Sequence, residues 1–135
     1  MVSWNNLDTL SSYKELADVK PACLTEVMSG DNGAERVKNY SIPMAAGLSY
    51  NYASKQVDEN VLAALEKLAN EAQLADKFKA LYNGEVVNTG EKRLVLHHMT
   101  RGQLGDAVEA DGVDKRTFYT TQQERIAEFA NKVHN

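Results

Sequence analysis

Apolar residues recur every three or four positions after Asp58, which is the spacing of one face of an α-helix. The pattern consists of Val61, Leu62, Leu65, Leu68, Ala69 and Ala72. Asp58 is a candidate N-cap, and Glu59 places a carboxylate in the first turn, where the helix dipole favours negative charge. This stretch is therefore predicted to be an amphipathic helix that covers a core.

A second, shorter helix is predicted from about Ala75 to Tyr82, and its packing residues are Leu74, Phe78, Leu81 and Tyr82. Asn83 and Gly84 end it, because both residue types tolerate the left-handed backbone conformation that closes a helix. Beyond this point, the β-prone runs 85–88 and 92–97 flank Thr89-Gly90-Glu91. A short loop containing glycine between two such runs predicts a β-hairpin or a sharp bend.

Capping-box spacing predicts two further helices. Ser12 is followed by Glu15, and Thr121 is followed by Glu124, so each serine or threonine is expected to begin a helix. The helix that begins at Thr121 is predicted to bury one face, made of the Arg125 stem, Ile126, Phe129, Ala130 and Val133.

The remaining segments are short or irregular. Residues 22–28 form a short helical candidate, and residues 29–33, Ser-Gly-Asp-Asn-Gly, predict a break. Residues 40–52 are extended in character, with a strand-like alternation of Leu48, Tyr50 and Tyr52. Residues 102–114 read as a polar connector with several turn signals.

The composition is that of an ordinary globular chain. Its 135 residues, 43% hydrophobic and 25% charged, suit one compact domain. No apolar run approaches the ~20 residues that cross a bilayer, and the N-terminus lacks the features of a secretory signal. The net charge of -4 and the lack of a Lys/Arg cluster argue against nucleic-acid binding. The single cysteine, Cys23, excludes an internal disulfide, so we expect a cytoplasmic protein.

Candidate catalytic chemistry is sparse. Adjacent histidines in a strand point to opposite faces, so we expect a structural His97, a more exposed His98 and no metal or cofactor. No activating signature surrounds Cys23, which predicts a core or half-buried thiol. Two interpretations stay open for Arg93 and Arg101: contact with a phosphate or a partner domain's carboxylate, or an ion pair that fixes the hairpin onto neighbouring structure.

Two blocks of residues resemble the glucose-6-phosphate isomerase (phosphoglucose isomerase) family. The larger block contains Tyr82, Val95 and Leu96 together with Asn83, Gly84, Glu85, Asn88, Glu91, Arg93, His97 and Arg101. The other block lies upstream, in the family's order, and contains Ala45-Ala46-Gly47-Leu48, Tyr52 and Ser54-Lys55. The chain departs from the family pattern at Asn51, at Gly90 and at His98-Met99-Thr100, and none of these departures removes a catalytic group.

The resemblance implies a fold and a function. Residues 1–135 would be the N-terminal helical region, mainly α with a short β-hairpin, of a larger α/β enzyme with αβα sugar-phosphate-binding domains. Members of the family interconvert glucose 6-phosphate and fructose 6-phosphate through an enediol, and a homodimer is implied. Their catalytic and substrate-binding residues fall outside this stretch. The eight residues from Asn83 to Arg101 named above are thus assigned structural roles, and the chain alone is expected to be inactive.

Two other classes of protein stay open. A stand-alone helical interaction module would have its apolar faces covered. Part of a larger enzyme would instead leave one face of the long helix and the Leu94 and Leu96 side of the hairpin poorly covered. A small metal or redox protein is disfavoured, because one Cys and three His lack ligand spacing.

Overall fold

The computed structural model describes residues 2–102 and 105–134, so Met1, Gln103 and Leu104 of the predicted connector, and Asn135 lie outside the described residues. The described α-helices are α1 Ser11–Asp18, α2 Leu24–Val27, α3 Gly30–Asn39, α4 Glu59–Glu71, α5 Leu74–Tyr82 and α6 Lys115–His134. The strands form three antiparallel pairs: β1 Ser41–Pro43 with β2 Ser49–Asn51, β3 Val86–Asn88 with β4 Arg93–Leu94, and β5 Glu109–Ala110 with β6 Val113–Asp114. This confirms a mainly α fold with short β-hairpins.

The chain divides into two compact units. The first unit is Asn5–Ala72, and the second contains the described residues of 1–4 and 73–135. Within the described residues, none of the helices combines the length and the apolar character needed to cross a membrane.

In the first unit, α1 is held against α4 by a carboxylate. Glu71, the last residue of α4, accepts hydrogen bonds from the backbone N–H groups and hydroxyls of Ser11 and Ser12 at the start of α1. Those from Ser12 contribute most to lowering the pKa of Glu71 from 4.5 to about 2. The predicted capping box is therefore wrong, because Ser12 bonds to Glu71 while Glu15 pairs with Lys67. At the other end of α4, the predicted cap is confirmed, since Asp58 Oδ1 accepts from Val61 N at 2.9 Å.

A helix occupies the segment predicted to be a break. α3 begins at Gly30, which has φ +59°, and it runs through Gly33. A Cβ atom at Gly33 would lie 2.4 Å from the carbonyl oxygen of Met28, so only glycine lets the helix pass this close to the preceding chain. Ser29-Gly30 thus begins a helix rather than a loop. The short helical candidate at residues 22–28 is confirmed over Leu24–Val27.

The first unit also contains a buried arginine. The Arg36 side chain is 7% exposed; its Nε donates to Ala53 O at 2.8 Å, and its Nη2 donates to Val57 O at 2.6 Å and Lys55 O at 3.1 Å. The guanidinium carbon lies 3.9 Å from the centroid of the Tyr40 ring. α3 is thereby tied to the segment that leads into α4.

In the second unit, a short hairpin follows α5 as predicted. α5 ends before Gly84, whose φ of +75° confirms the predicted left-handed stop. β3 and β4 then pair, with Val86 opposite Leu94. The second strand is shorter than predicted, because the chain turns into a 3-10 helix at His97–Thr100.

α6 begins six residues earlier than predicted. Asp114 Oδ1 accepts from Arg116 N at 3.1 Å, and Asp114 Oδ2 accepts from Thr117 N at 3.3 Å, so Asp114 caps the helix. Hydrogen bonds, chiefly from the Thr117 hydroxyl, lower the pKa of Asp114. Thr121 therefore lies inside the helix, and the capping box predicted there is wrong. The predicted buried face is wrong too, because Ile126, Phe129 and Val133 are 68%, 69% and 65% exposed.

Candidate functional site

Three residues of the larger family-like block, Asn83, Gly84 and Glu85, form the turn after α5. Asn83 follows the helix, Gly84 adopts the left-handed conformation, and Glu85 N donates to Ala80 O at 2.9 Å. A Cβ atom at Gly84 would lie 2.3 Å from Cγ1 of Val108, a buried residue. Both the backbone conformation and the close approach of Val108 therefore demand glycine here.

Polar side chains close the loop of the β3–β4 hairpin. Asn88 Oδ1 accepts from Glu91 N at 3.1 Å, and Asn88 Nδ2 donates to Glu91 Oε2 at 3.4 Å. Arg93 Nη1 lies 3.7 Å from the same carboxylate oxygen, and both side chains are mostly exposed. Arg93 thus forms an ion pair, but with a residue of its own hairpin and not with the neighbouring structure that the second interpretation expects. That pair lies within the hairpin, where solvent screening leaves it a small contribution to stability.

The two adjacent histidines behave in the opposite way to the prediction. They lie in the 3-10 helix rather than in a strand, with His97 exposed and His98 half-buried. His98 Nε2 is 3.1 Å from Tyr82 O, and the two rings stack with centroids 4.6 Å apart. Because a carbonyl only accepts, Nε2 of His98 carries the proton. Arg101, which follows the 3-10 helix, is exposed, and its backbone N–H donates to His98 O.

A buried arginine in α6 completes this cluster. Arg116 is 6% exposed; its Nη2 donates to Tyr82 O at 3.0 Å, and its Nε donates to Asp106 O. The guanidinium carbon lies 5.4 Å from the centroid of the Tyr82 ring. The C-terminal carbonyl of α5 thus accepts from both Arg116 and His98, where the negative end of the helix dipole favours a cation.

Sequence reasoning identified neither buried arginine as a structural centre. Arg116 lies in the first turn of a helix and Arg36 lies mid-helix, positions in which arginine is usually solvated. The only local signal for Arg116 is the Asp111-Gly112 turn before it, where both residues have positive φ and bring β5 and β6 together.

The upstream block of family-like residues forms the β1–β2 connection. Ala46 and Gly47 have φ values of +58° and +74°, so small residues suit this turn, and Ile42 lies opposite Tyr50 in the paired strands. Residues 40–52 are therefore extended only in part, because a turn separates the two strands. Beside the hairpin lies an open groove of ≈ 250 Å³, lined by Ile42, Tyr50, Tyr52, Lys55, Val57, Leu62 and Leu65.

The arrangement offers structural contacts rather than an evident reaction centre. Among the described residues, no three His, Cys, Asp or Glu side chains gather where they could bind a metal ion. Cys23 is exposed, so the prediction of a core or half-buried thiol is wrong. Its Sγ lies 3.1 Å from Thr25 Oγ1.

Comparisons with known proteins agree with the resemblance. The family model described as phosphoglucose isomerase matches residues 51–135, which is more than half of the chain. A protein of Treponema denticola named glucose-6-phosphate isomerase is 41% identical over 99% of this chain and 26% of its own length. A protein of the same name from Borreliella afzelii is 40% identical over 100% of this chain and 25% of its own length.

The similarity extends to a relative of lower identity. A Shewanella woodyi protein, also named glucose-6-phosphate isomerase, is 36% identical over 82% of this chain. The chain spans about a quarter of the length of the first two relatives. On the strength of the family match and the residues that carry it, the chain belongs to the phosphoglucose isomerase family.

Proposed function

We propose that this chain is the N-terminal part of a glucose-6-phosphate isomerase, an intramolecular aldose-ketose isomerase. The complete enzyme interconverts glucose 6-phosphate and fructose 6-phosphate in glycolysis and gluconeogenesis. The observation that carries this proposal is 41% identity across 99% of the chain to a protein of that name. Because the match takes up only 26% of that relative, the remaining three quarters supply the sugar-phosphate-binding domains.

The proposed role of this part is structural, and the chain alone is inactive. Gly84 allows the turn after α5, while Asn88, Glu91 and Arg93 contact one another within the β3–β4 hairpin. The Tyr82 carbonyl is held by Arg116 and His98. These contacts support the assignment of the family-like residues to stabilising the fold, with the residues that open the sugar ring and move the proton lying elsewhere in the enzyme.

The uncovered apolar surface supports the enzyme over a stand-alone interaction module. A module that works alone would cover its apolar side chains, yet Ile126, Phe129 and Val133 of α6 are about two-thirds exposed. The side of the hairpin that was also expected to be poorly covered contributes less to this surface, since Leu94 and Leu96 are half-buried. In the first unit, Leu65 of α4 is 40% exposed.

The partners of the chain follow from the same proposal. Its main partner is the rest of its own polypeptide, and the complete protein is a homodimer in the cytoplasm. The net charge of -4 supports function without nucleic acid, since binding to phosphates rests on positive charge. Neither a cofactor nor a metal ion is required.

Replacement of the matching quarter of the T. denticola relative with residues 1–135 tests the proposal. The chimera should convert glucose 6-phosphate to fructose 6-phosphate in a coupled assay, whereas the 135-residue chain alone should show no turnover above buffer. A folded chimera without activity would count against the proposed role. Turnover by the purified chain alone would show that the catalytic groups lie within it.

A further inference from the structure

The two halves of α6 differ in how they are held. The first half is capped by Asp114 and fixed by the buried Arg116. Gln123, near the middle of the helix, donates from Nε2 to Thr100 O at 2.6 Å. Every residue from 123 to 129 is exposed, and the helix continues to His134. Within the described part of the chain, the side chains of this second half therefore lie largely in solvent.

An apolar stripe follows the second half of α6. Ile126, Phe129 and Val133 are spaced three and four residues apart, which places them within about 60° of one another around the helix axis. All three are exposed by 65% or more. This spacing is that of a helix whose side chains anchor in a groove.

The charges around the stripe are arranged asymmetrically. Arg125 lies four residues before Phe129 and Lys132 lies three residues after it, so both border the stripe on one side. The helical period places Glu128 about 100° and Glu124 about 140° from Phe129, beyond the two basic residues and farther from the stripe than they are. The stripe thus has one basic border, which suits an apolar surface edged by carboxylates.

We propose that the second half of α6 is a docking helix for the remaining three quarters of the isomerase polypeptide. Ile126, Phe129 and Val133 enter an apolar groove on that part of the enzyme, and Arg125 and Lys132 face acidic side chains at its edge. This inference rests on the proposed function. We assign the occupant to the rest of the polypeptide because the relatives extend over about four times the matched length, which supplies enough further chain to cover this helix.

The test compares the same substitutions in two settings, the 135-residue chain and the T. denticola chimera. Phe129→Ser removes the centre of the stripe, and Ala127→Ser is its control on an exposed position off the stripe. In the isolated chain both variants should melt within about 2 °C of the parent. In the chimera, Phe129→Ser should lower the melting temperature by about 5 to 10 °C and Ala127→Ser by less than about 2 °C.

Each other outcome has a definite meaning. An active chimera in which both variants melt alike overturns the docking helix and leaves the proposed function intact. Equal destabilisation by Phe129→Ser in both settings shows that the stripe is covered within this chain, which also overturns it. Concentration-dependent self-association of the isolated chain, abolished by Phe129→Ser while the chimera is unaffected, assigns the stripe to a second copy. A chimera that fails to fold when the isolated chain folds overturns the proposed function and the docking helix together.

Discussion

Alanine at position 84 tests the turn that links α5 to β3. Gly84 has φ +75°, a conformation that costs an L-residue about 1 to 2 kcal/mol. The added methyl group would also lie 2.3 Å from Cγ1 of Val108, which is 5% exposed and has little room to move. Overpacking of this kind costs about 1 to 3 kcal/mol. Together, Gly84→Ala should lower the free energy of unfolding by about 2 to 5 kcal/mol.

Gly112 provides a matched control. It has φ +71°, but a Cβ atom there would meet no atom within 4 Å. Gly112→Ala should therefore cost only the backbone term, about 1 to 2 kcal/mol. At roughly 4 °C per kcal/mol for a chain of this size, Gly84→Ala should melt about 4 to 12 °C below Gly112→Ala.

The assay is thermal and urea unfolding followed by far-UV circular dichroism. A double-mutant cycle with Val108→Ala isolates the steric contribution, because the smaller side chain makes room for the new methyl group. The double variant should be more stable than the sum of the two single changes predicts, by about 1 to 2 kcal/mol. Equal melting of Gly84→Ala and Gly112→Ala, with additive effects in the cycle, would refute the reasoning.

Three further predictions concern other contacts. Arg36→Lys should lower the free energy of unfolding of the first unit by about 2 to 4 kcal/mol in urea. The reason is that an ammonium group cannot replace a guanidinium that donates to the carbonyl groups of Ala53, Lys55 and Val57. Lys38→Arg, on the exposed part of α3, should leave the free energy of unfolding nearly unchanged. The folded-state pKa of Glu71 is lowered from 4.5 to about 2, so its contribution to stability is present above pH 4.5 and is lost as the pH falls towards 2. The parent chain should thus lose more melting temperature between pH 5.5 and pH 2.5 than Glu71→Gln, and parallel curves would contradict this. Asp114→Ala should reduce the helical signal by fraying the start of α6, whereas Glu109→Ala, which removes a nearby exposed carboxylate, should not. An unchanged signal in Asp114→Ala would contradict the cap.

The parts of the fold that the sequence predicts well are those determined by neighbouring residues. α4 follows from its apolar period and its Asp58 cap, and the end of α5 follows from Gly84. The β3–β4 hairpin follows from a glycine-containing loop between two β-prone runs. In each case the controlling groups lie within a few residues of one another, so a local pattern contains the information.

The sequence-based predictions fail where a residue far away in the sequence determines which contacts a side chain makes. Ser12 has the spacing of a capping box with Glu15, yet it bonds to Glu71, 59 residues away. Arg36 and Arg116 are charged side chains that become buried because carbonyl groups from remote segments accept their hydrogen bonds. No local pattern reveals which carbonyl groups will be near.

Two errors at α6 have different causes. The helix begins at Lys115 because Asp114, which ends the preceding turn, also acts as the N-cap. The capping-box pattern at Thr121 is correctly spaced, but it lies inside the helix, where the backbone N–H groups are already paired. Its apolar face was expected to be buried because such periodicity normally faces a core. The period is present, but within the described residues Ile126, Phe129 and Val133 stay exposed.

The length of the polypeptide that carries this sequence in the cell tests the central claim most directly. An antibody raised against the 135-residue chain would isolate that polypeptide, and mass spectrometry would give its intact mass and its peptides. We expect a product about four times as long as this chain, since the chain covers about a quarter of the length of its relatives. A cellular product of 135 residues with no longer form would contradict it.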